Sequence, residues 1–188
     1  MVKELFKKLI TDFIQRDIKD IVPREFNIPL ESKKIISLIG VRRSGKSYLL
    51  FDTVNRLRAT IDRVNIIYLN FEDDRLYPLE LKSLDLLLES YYELYPNKKG
   101  EKIYLFLDEV QVVNKWELYV RRIYDNENIQ IYITGSSAKL LSTEIATSLR
   151  GRTLTYEIFP FSFKEYLKYK NIEVNLYSST SLNYIRNA

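Results

Sequence analysis

The amino-acid sequence predicts an α/β protein with a parallel sheet, and two patterns carry that prediction. Short, β-branched apolar runs recur along the chain, of the kind that suits strands buried on both faces. Between them lie segments with apolar residues at three- and four-residue spacing, as amphipathic helices require. Regular alternation of the two marks an α/β chain.

The elements follow in order. Leu5, Phe6, Leu9, Ile10, Phe13, Ile14 and Ile18 share one face of an N-terminal amphipathic helix. Its other face mixes both charge signs, which favours packing on the main domain over a membrane surface. Pro23 and Pro29 bracket a non-helical connection over 21–31. Strands are expected at 34–39, 64–69, 103–107, 129–133 and 154–159. Helices are expected at 47–59, 79–94, 115–125, 138–149 and 163–170. From 171 onward the chain is polar and Ser/Asn-rich. This divides the sequence into a helix and linker (1–30), a main domain (31–170) and a polar tail or the start of a truncated C-terminal region (171–188).

Composition narrows the chemistry. The 188 residues include no histidine and no cysteine. Disulfides, thiolate nucleophiles, Cys/His zinc sites and Ser-His-Asp triads are therefore excluded. Carboxylates, Lys, Arg, hydroxyls and backbone amides remain, with Mg²⁺ the metal that suits such donors. Lys and Arg number 29 against 25 acids, a net charge of +4 that permits nucleic-acid contact without arguing for it. No apolar run approaches the roughly 18 residues of a membrane span. The charged N-terminus lacks a signal-peptide core, so a cytoplasmic protein is expected.

The first strand runs into Gly40-Val41-Arg42-Arg43-Ser44-Gly45-Lys46-Ser47, which satisfies G-x-x-x-x-G-K-[ST] between a strand and a helix. In such a loop the glycines let backbone N–H groups turn toward phosphate oxygens. The helix N-terminus adds unpaired amides and its dipole. Lys46 reaches the outer phosphates and Ser47 offers a hydroxyl to Mg²⁺. Gly40 to Ser47 and the adjoining Tyr48 form the candidate nucleotide-binding set, with Arg42 and Arg43 either solvated or paired with acids such as Glu72 or Asp73.

The third strand ends in Asp108-Glu109, 62 residues after Lys46. Asp108 is expected on a strand neighbouring the loop strand, holding Mg²⁺ directly or through water. Glu109 is then placed to activate water. The fourth strand ends in Thr134-Gly135-Ser136-Ser137, where a hydroxyl either senses phosphate or caps the next helix. Arg150 and Arg152 flank Gly151 at the end of that helix. They either complement the helix dipole or supply an arginine finger to a neighbouring subunit. No guanine-reading Asn/Thr-Lys-x-Asp segment is present, which favours ATP.

Taken together, GVRRSGKS at 40–47, NFEDDRL at 70–76, YLFLDEVQVVNKWE at 104–117, ITGSSAKLLSTEIATSLRGRT at 133–153 and IFPFSFKEYL at 158–167 resemble the P-loop domain of the AAA+ superfamily, in its archaeal and bacterial branch akin to the STAND ATPases. VPREF at 22–26 resembles that group's lead-in. The resemblance implies a three-layer P-loop NTPase with a five-stranded sheet in the order 5-1-4-3-2, and Walker A and Walker B motifs at Gly40–Ser47 and Leu105–Glu109. It implies a sensor 1 group at Thr134 or Ser136 and finger candidates at Arg150 and Arg152. It also implies a longer C-terminal region, the route to a DNA or protein partner. No helical lid and no sensor 2 arginine are visible in this sequence. The expected activity is Mg²⁺-dependent ATP hydrolysis, with Lys46, Glu109, Ser136 and the two arginines as catalytic candidates and a homo-oligomer supplying the finger in trans. The alternatives are a nucleotide-gated switch with little turnover and a nucleic-acid-acting ATPase.

Overall fold

The structure, a computed structural model, describes residues 2–136 and 149–172. Helix α1 (Val2–Gln15) precedes β1 (Ile35–Gly40), α2 (Lys46–Arg58), β2 (Ile66–Asn70), α3 (Asp85–Leu94), β3 (Ile103–Asp108), α4 (Trp116–Asn126), β4 (Ile129–Ser136), β5 (Thr153–Glu157) and α5 (Phe163–Tyr169). The five strands are parallel and lie in the order β2-β3-β4-β1-β5, the 5-1-4-3-2 order read from the other edge. The helix expected at 138–149 lies outside the described residues except for Leu149, which is buried.

The apolar runs form strands because the sheet is covered on both sides. Ile35, Ile39, Ile67, Leu69, Ile103, Leu105, Leu107, Ile131 and Ile133 enter one core with α1, α3 and α4. Alternate residues Ile36, Leu38, Ile66, Tyr104, Phe106 and Tyr132 enter a second core with Leu49, Leu50, Val54 and Leu57 of α2. Phe106 and Tyr132 stack there on adjacent strands, centroids 4.4 Å apart. β5 differs: it is an edge strand with mostly exposed residues, and it ends at Glu157 instead of running to 159. The helical segment expected from 79 begins as a 3₁₀ turn (Leu81–Leu84) and becomes α3 only at Asp85, a common tightening at helix starts.

Helix α1 packs Phe6, Leu9, Ile10 and Phe13 inward, against α3 and β2. It stops at Gln15, short of Ile18, because Arg58 of α2 takes over its final carbonyls. Nη2 donates to the Phe13 carbonyl at 2.8 Å and Nη1 to that of Arg16 at 2.7 Å, satisfying groups a helix end leaves unpaired. The connection that follows is pinned along the α2 face of the sheet. Ile28 is buried, and Tyr132 donates to the Leu30 carbonyl at 2.6 Å.

One expectation is overturned by the strand order. β3 is not beside β1; β4 lies between them. Sequence separation allowed a neighbouring strand but did not choose which crossover filled the gap. Among the described residues, no helix is long and apolar enough to cross a membrane.

Leu105 sits fully buried in β3. Leu105→Ala is expected to lower the unfolding free energy by about 2–5 kcal/mol, read as a shifted urea midpoint at unchanged slope. An unshifted midpoint would contradict the two-sided core.

Candidate functional site

The carboxyl edge of the sheet carries the site. β1, buried throughout, delivers the 40–47 loop there. Gly40 is required by close approach: a Cβ would lie 2.2 Å from the Ile158 carbonyl oxygen, where the chain leaves β5. Its role is thus set by β5 as much as by the loop's curl. Gly45 has φ +92° and stands at the N-terminus of α2, where the first helical bond runs from the Leu49 N–H to its carbonyl. The amides of Lys46, Ser47 and Tyr48 precede that bond and lack helical acceptors. Arg43 is also left-handed, at φ 65°. The loop buries the Ser44 hydroxyl without a hydrogen-bond partner in the protein, a costly omission unless a ligand or solvent supplies one.

Lys46 is buried, at 4% exposure. Its Nζ donates to the Gly40 and Val41 carbonyls, each at 3.2 Å, and lies 3.6 Å from Glu109 Oε1. Glu109 is itself unusual, with φ 55° and ψ 49°, a conformation that costs a non-glycine residue roughly 1–2 kcal/mol. Its Oε2 accepts from Gln111 Nε2 at 2.6 Å.

Asp108 is 1% exposed. Each of its carboxylate oxygens accepts a hydroxyl: Oδ1 from Thr134 and Oδ2 from Tyr68 at 2.7 Å. The Thr134 oxygen also accepts the Glu109 N–H at 2.9 Å. Of the two expected polar groups at the end of β4, Thr134 therefore engages the acidic pair. Ser136 stands in register with Gly40, beside the loop. A magnesium ion suits this set. It is usually held by one or two carboxylates, with waters and phosphate oxygens completing its shell. Among the described residues no cluster of three acidic, His or Cys groups forms a protein cage.

Other expected residues fall on the rim or elsewhere. Val41 and Tyr48 are exposed, and Arg42 lies 3.6 Å from Glu72, the partner anticipated for it. Asp73 pairs with Arg75 instead. Arg150 and Arg152 lie in the turn before β5, at the opposite edge of the sheet. The Arg152 carbonyl accepts the Ile35 N–H at 2.8 Å, and its guanidinium grips Asp125 at 3.0 and 3.2 Å. Five residue steps along β1, roughly 17 Å, separate that point from the loop of the same chain.

Sequence reasoning missed Tyr68 and the pair Arg24 and Glu165. Arg24, within the VPREF lead-in, donates Nη1 to the Ser44 carbonyl at 3.1 Å, Nη2 to the Phe159 carbonyl at 2.9 Å and Nε to Glu165 Oε1 at 2.7 Å. Its guanidinium covers the Phe161 ring at 4.8 Å. Glu165 is only 8% exposed and closes a capping box with Ser162 at the start of α5. The signal in the sequence was Ser162-x-x-Glu165, a capping-box spacing. Beside the loop, Val22, Arg24, Arg43, Tyr48, Phe161 and Tyr169 line a cleft of about 420 Å³.

Residues 32–167 match the AAA domain family. The chain belongs to that family. It is 44% identical over 179 residues to an uncharacterized protein of Methanocaldococcus jannaschii, covering 95% of this chain and 38% of that protein. It is 42% identical over 142 residues to an uncharacterized protein of Haemophilus influenzae, covering 74% of this chain and 34% of that one. The chain thus spans little more than a third of these relatives. AMPPCP-bound DnaA from Aquifex aeolicus resembles it with a TM-score of 0.49 and 17% identity, over 98% of this chain and 55% of that one.

Burial alone would raise the Glu165 carboxyl. The Arg24 guanidinium and the N–H groups of Ser162 and Glu25 outweigh it and hold the pKa at about 2, against an ordinary 4.5. A depressed carboxylate stabilises the fold fully above its unfolded pKa and less as pH falls toward the folded value. Glu165→Gln is therefore expected to cost about 1–3 kcal/mol at pH 7, allowing for screening near the surface. The deficit should close between pH 4.5 and 2. A deficit independent of pH in denaturant titrations would rule out the charge network as its source.

Proposed function

We propose that this AAA domain binds ATP with Mg²⁺ on the carboxyl edge of its sheet and hydrolyses it. The observation that carries the reading is the meeting of a buried loop ammonium, Lys46, with Glu109 at 3.6 Å, directly after the buried carboxylate of Asp108. Lys46 is held by two carbonyls and one carboxylate. A triphosphate offers the ammonium stronger anionic acceptors and draws it away from Glu109. The freed carboxylate then orients water and takes its proton. The α2 amides and the Ser44 hydroxyl line the phosphate side. Ser47 and Asp108 would hold the metal, which when bound neutralises charge on the phosphates. Tyr48, Phe161 and Tyr169 give the adjoining cleft aromatic walls suited to a base, with Val22 beside them.

The position of Arg150 and Arg152, far from the loop of their own chain, supports action across a subunit boundary. A homo-oligomer with one of them as finger follows from that reading. The stretches from GVRRSGKS to IFPFSFKEYL support the STAND-like branch. The domain division at 30 and 170, a cytoplasmic location and a DNA or protein partner acting through the additional length of the relatives belong to the same proposal. Ser136, beside Gly40, joins the catalytic set as a second hydroxyl at the loop. A second reading, a nucleotide-gated switch with little turnover, is favoured by the restraint on Glu109, which Lys46 and Gln111 both engage.

Lys46→Ala is expected to abolish ATP binding in calorimetry; retained affinity would sink the loop assignment. Glu109→Gln should keep binding and lose about 10²–10⁴-fold in phosphate release. Equal turnover would remove Glu109 as base. If the parent turns over at no protein concentration, the switch reading stands. Turnover that rises steeply with concentration indicates a finger in trans.

A further inference from the structure

Tyr68 has no place in the loop and strand-end motifs, yet its hydroxyl reaches the most buried carboxylate of the site. It donates to Asp108 Oδ2 at 2.7 Å, from the neighbouring strand. Its ring is not free to choose that position. Phe13 of α1 stacks on it with centroids 4.8 Å apart and planes 22° apart, and Phe51 of α2 packs against it at 5.1 Å. Phe13 is anchored in turn: it is buried, Arg58 donates to its carbonyl at 2.8 Å, and the Arg58 guanidinium covers its ring at 5.0 Å. A continuous packed path thus runs from the N-terminal helix through one aromatic ring to the Asp108 carboxylate.

We infer that Tyr68 is a positioning residue for the Asp108 carboxylate in Mg²⁺ binding, and that α1 is part of the nucleotide site because it sets Tyr68 through Phe13. This rests on the reading of Asp108 as a metal-holding group given above.

The chemistry is that of a carboxylate held at both ends. The terminal torsion of Asp is broad and soft, so one hydroxyl leaves the group free to rock. Thr134 on Oδ1 and Tyr68 on Oδ2 fix its plane. Each oxygen keeps lone-pair capacity for a cation or its water. Thr134 comes from β4 and is also tied to the Glu109 N–H; Tyr68 comes from β2 and is tied to α1 and α2. The carboxylate is thereby aligned from both flanking strands, and the Tyr68 side carries the contact with α1.

The test separates metal from nucleotide. ADP affinity is measured by calorimetry in EDTA and across a Mg²⁺ series for the parent, Tyr68→Phe, Phe13→Leu and Asp108→Asn, with near-UV circular dichroism confirming native packing. Tyr68→Phe keeps the stacked ring and removes the hydroxyl. The Mg²⁺ concentration giving half of the metal-dependent gain should rise roughly 10–100-fold, the usual cost of losing a group that orients a metal ligand, with affinity in EDTA unchanged. Phe13→Leu should shift it in the same direction by less. A Tyr68→Phe curve that overlays the parent while Asp108→Asn is displaced overturns the role of Tyr68. A normal Phe13→Leu curve beside a shifted Tyr68→Phe curve overturns the part played by α1. If Asp108→Asn overlays the parent as well, the metal reading of Asp108 fails, and this inference with it. Should Phe13→Leu not fold, Tyr68→Phe alone decides the positioning role, and Phe13→Met, which removes the ring while keeping a long apolar side chain, decides the helix: a Mg²⁺ requirement raised with native packing supports it, and an unchanged one overturns it.

Discussion

The site depends on one topological constraint: β4 lies between the strand that carries the loop and the strand that carries the acids. Two strand spacings put the ends of β1 and β3 roughly 10 Å apart. That gap is too wide for direct contact between short side chains and wide enough for a phosphate chain. Lys46 spans it with a long, flexible cationic side chain and comes within 3.6 Å of Glu109. The strand in the gap also touches both sides, with Thr134 on the acids and Ser136 in register with Gly40.

Much of this was legible because it is local. Four apolar runs marked four of the strands, a fifth was expected from 154, and the loop motif lay where a strand met a helix. The Asp-Glu pair was visible as the polar end of an apolar run. The parts that were not legible join residues distant in the chain. Arg24 and Glu165 are 141 positions apart, and Tyr68 and Asp108 are 40 apart. Their meeting depends on strand order and on where a linker is pinned, neither of which has a period or a spacing. Tyr68 in particular looks like one more aromatic in a buried strand. Only the register that places Asn70 opposite Asp108 turns its hydroxyl into part of the site. The early end of α1 was hidden for the same reason, since its cap comes from Arg58 on another helix.

Gly40 shows how fold and site share one residue. The loop motif explains a glycine there by backbone freedom. The structure adds a steric demand from outside the loop, the Ile158 carbonyl 2.2 Å from where a Cβ would stand. Just beyond Ile158, the Phe159 carbonyl accepts from Arg24, which also donates to the Ser44 carbonyl. The backbone leaving β5 is thus braced against the outer side of the loop. The shape of the loop is therefore set from two directions, by β1 within and by the Arg24 brace without.

The electrostatics give the site a definite character. A buried ammonium and a mostly buried carboxylate are costly to desolvate, and their mutual attraction alone seldom repays that cost. Here the two Lys46–carbonyl bonds and the Gln111–Glu109 bond supply the missing compensation. The pair is thus satisfied by the protein's own groups. The same satisfaction is a barrier to use: a ligand must replace three acceptors of Lys46 to gain it. Phosphate oxygens can do this because they carry full charge in a setting of low polarisability; neutral polar ligands cannot. Selection for a phosphate chain therefore begins before any contact with a base, in the competition between Glu109 and the incoming anion for one ammonium.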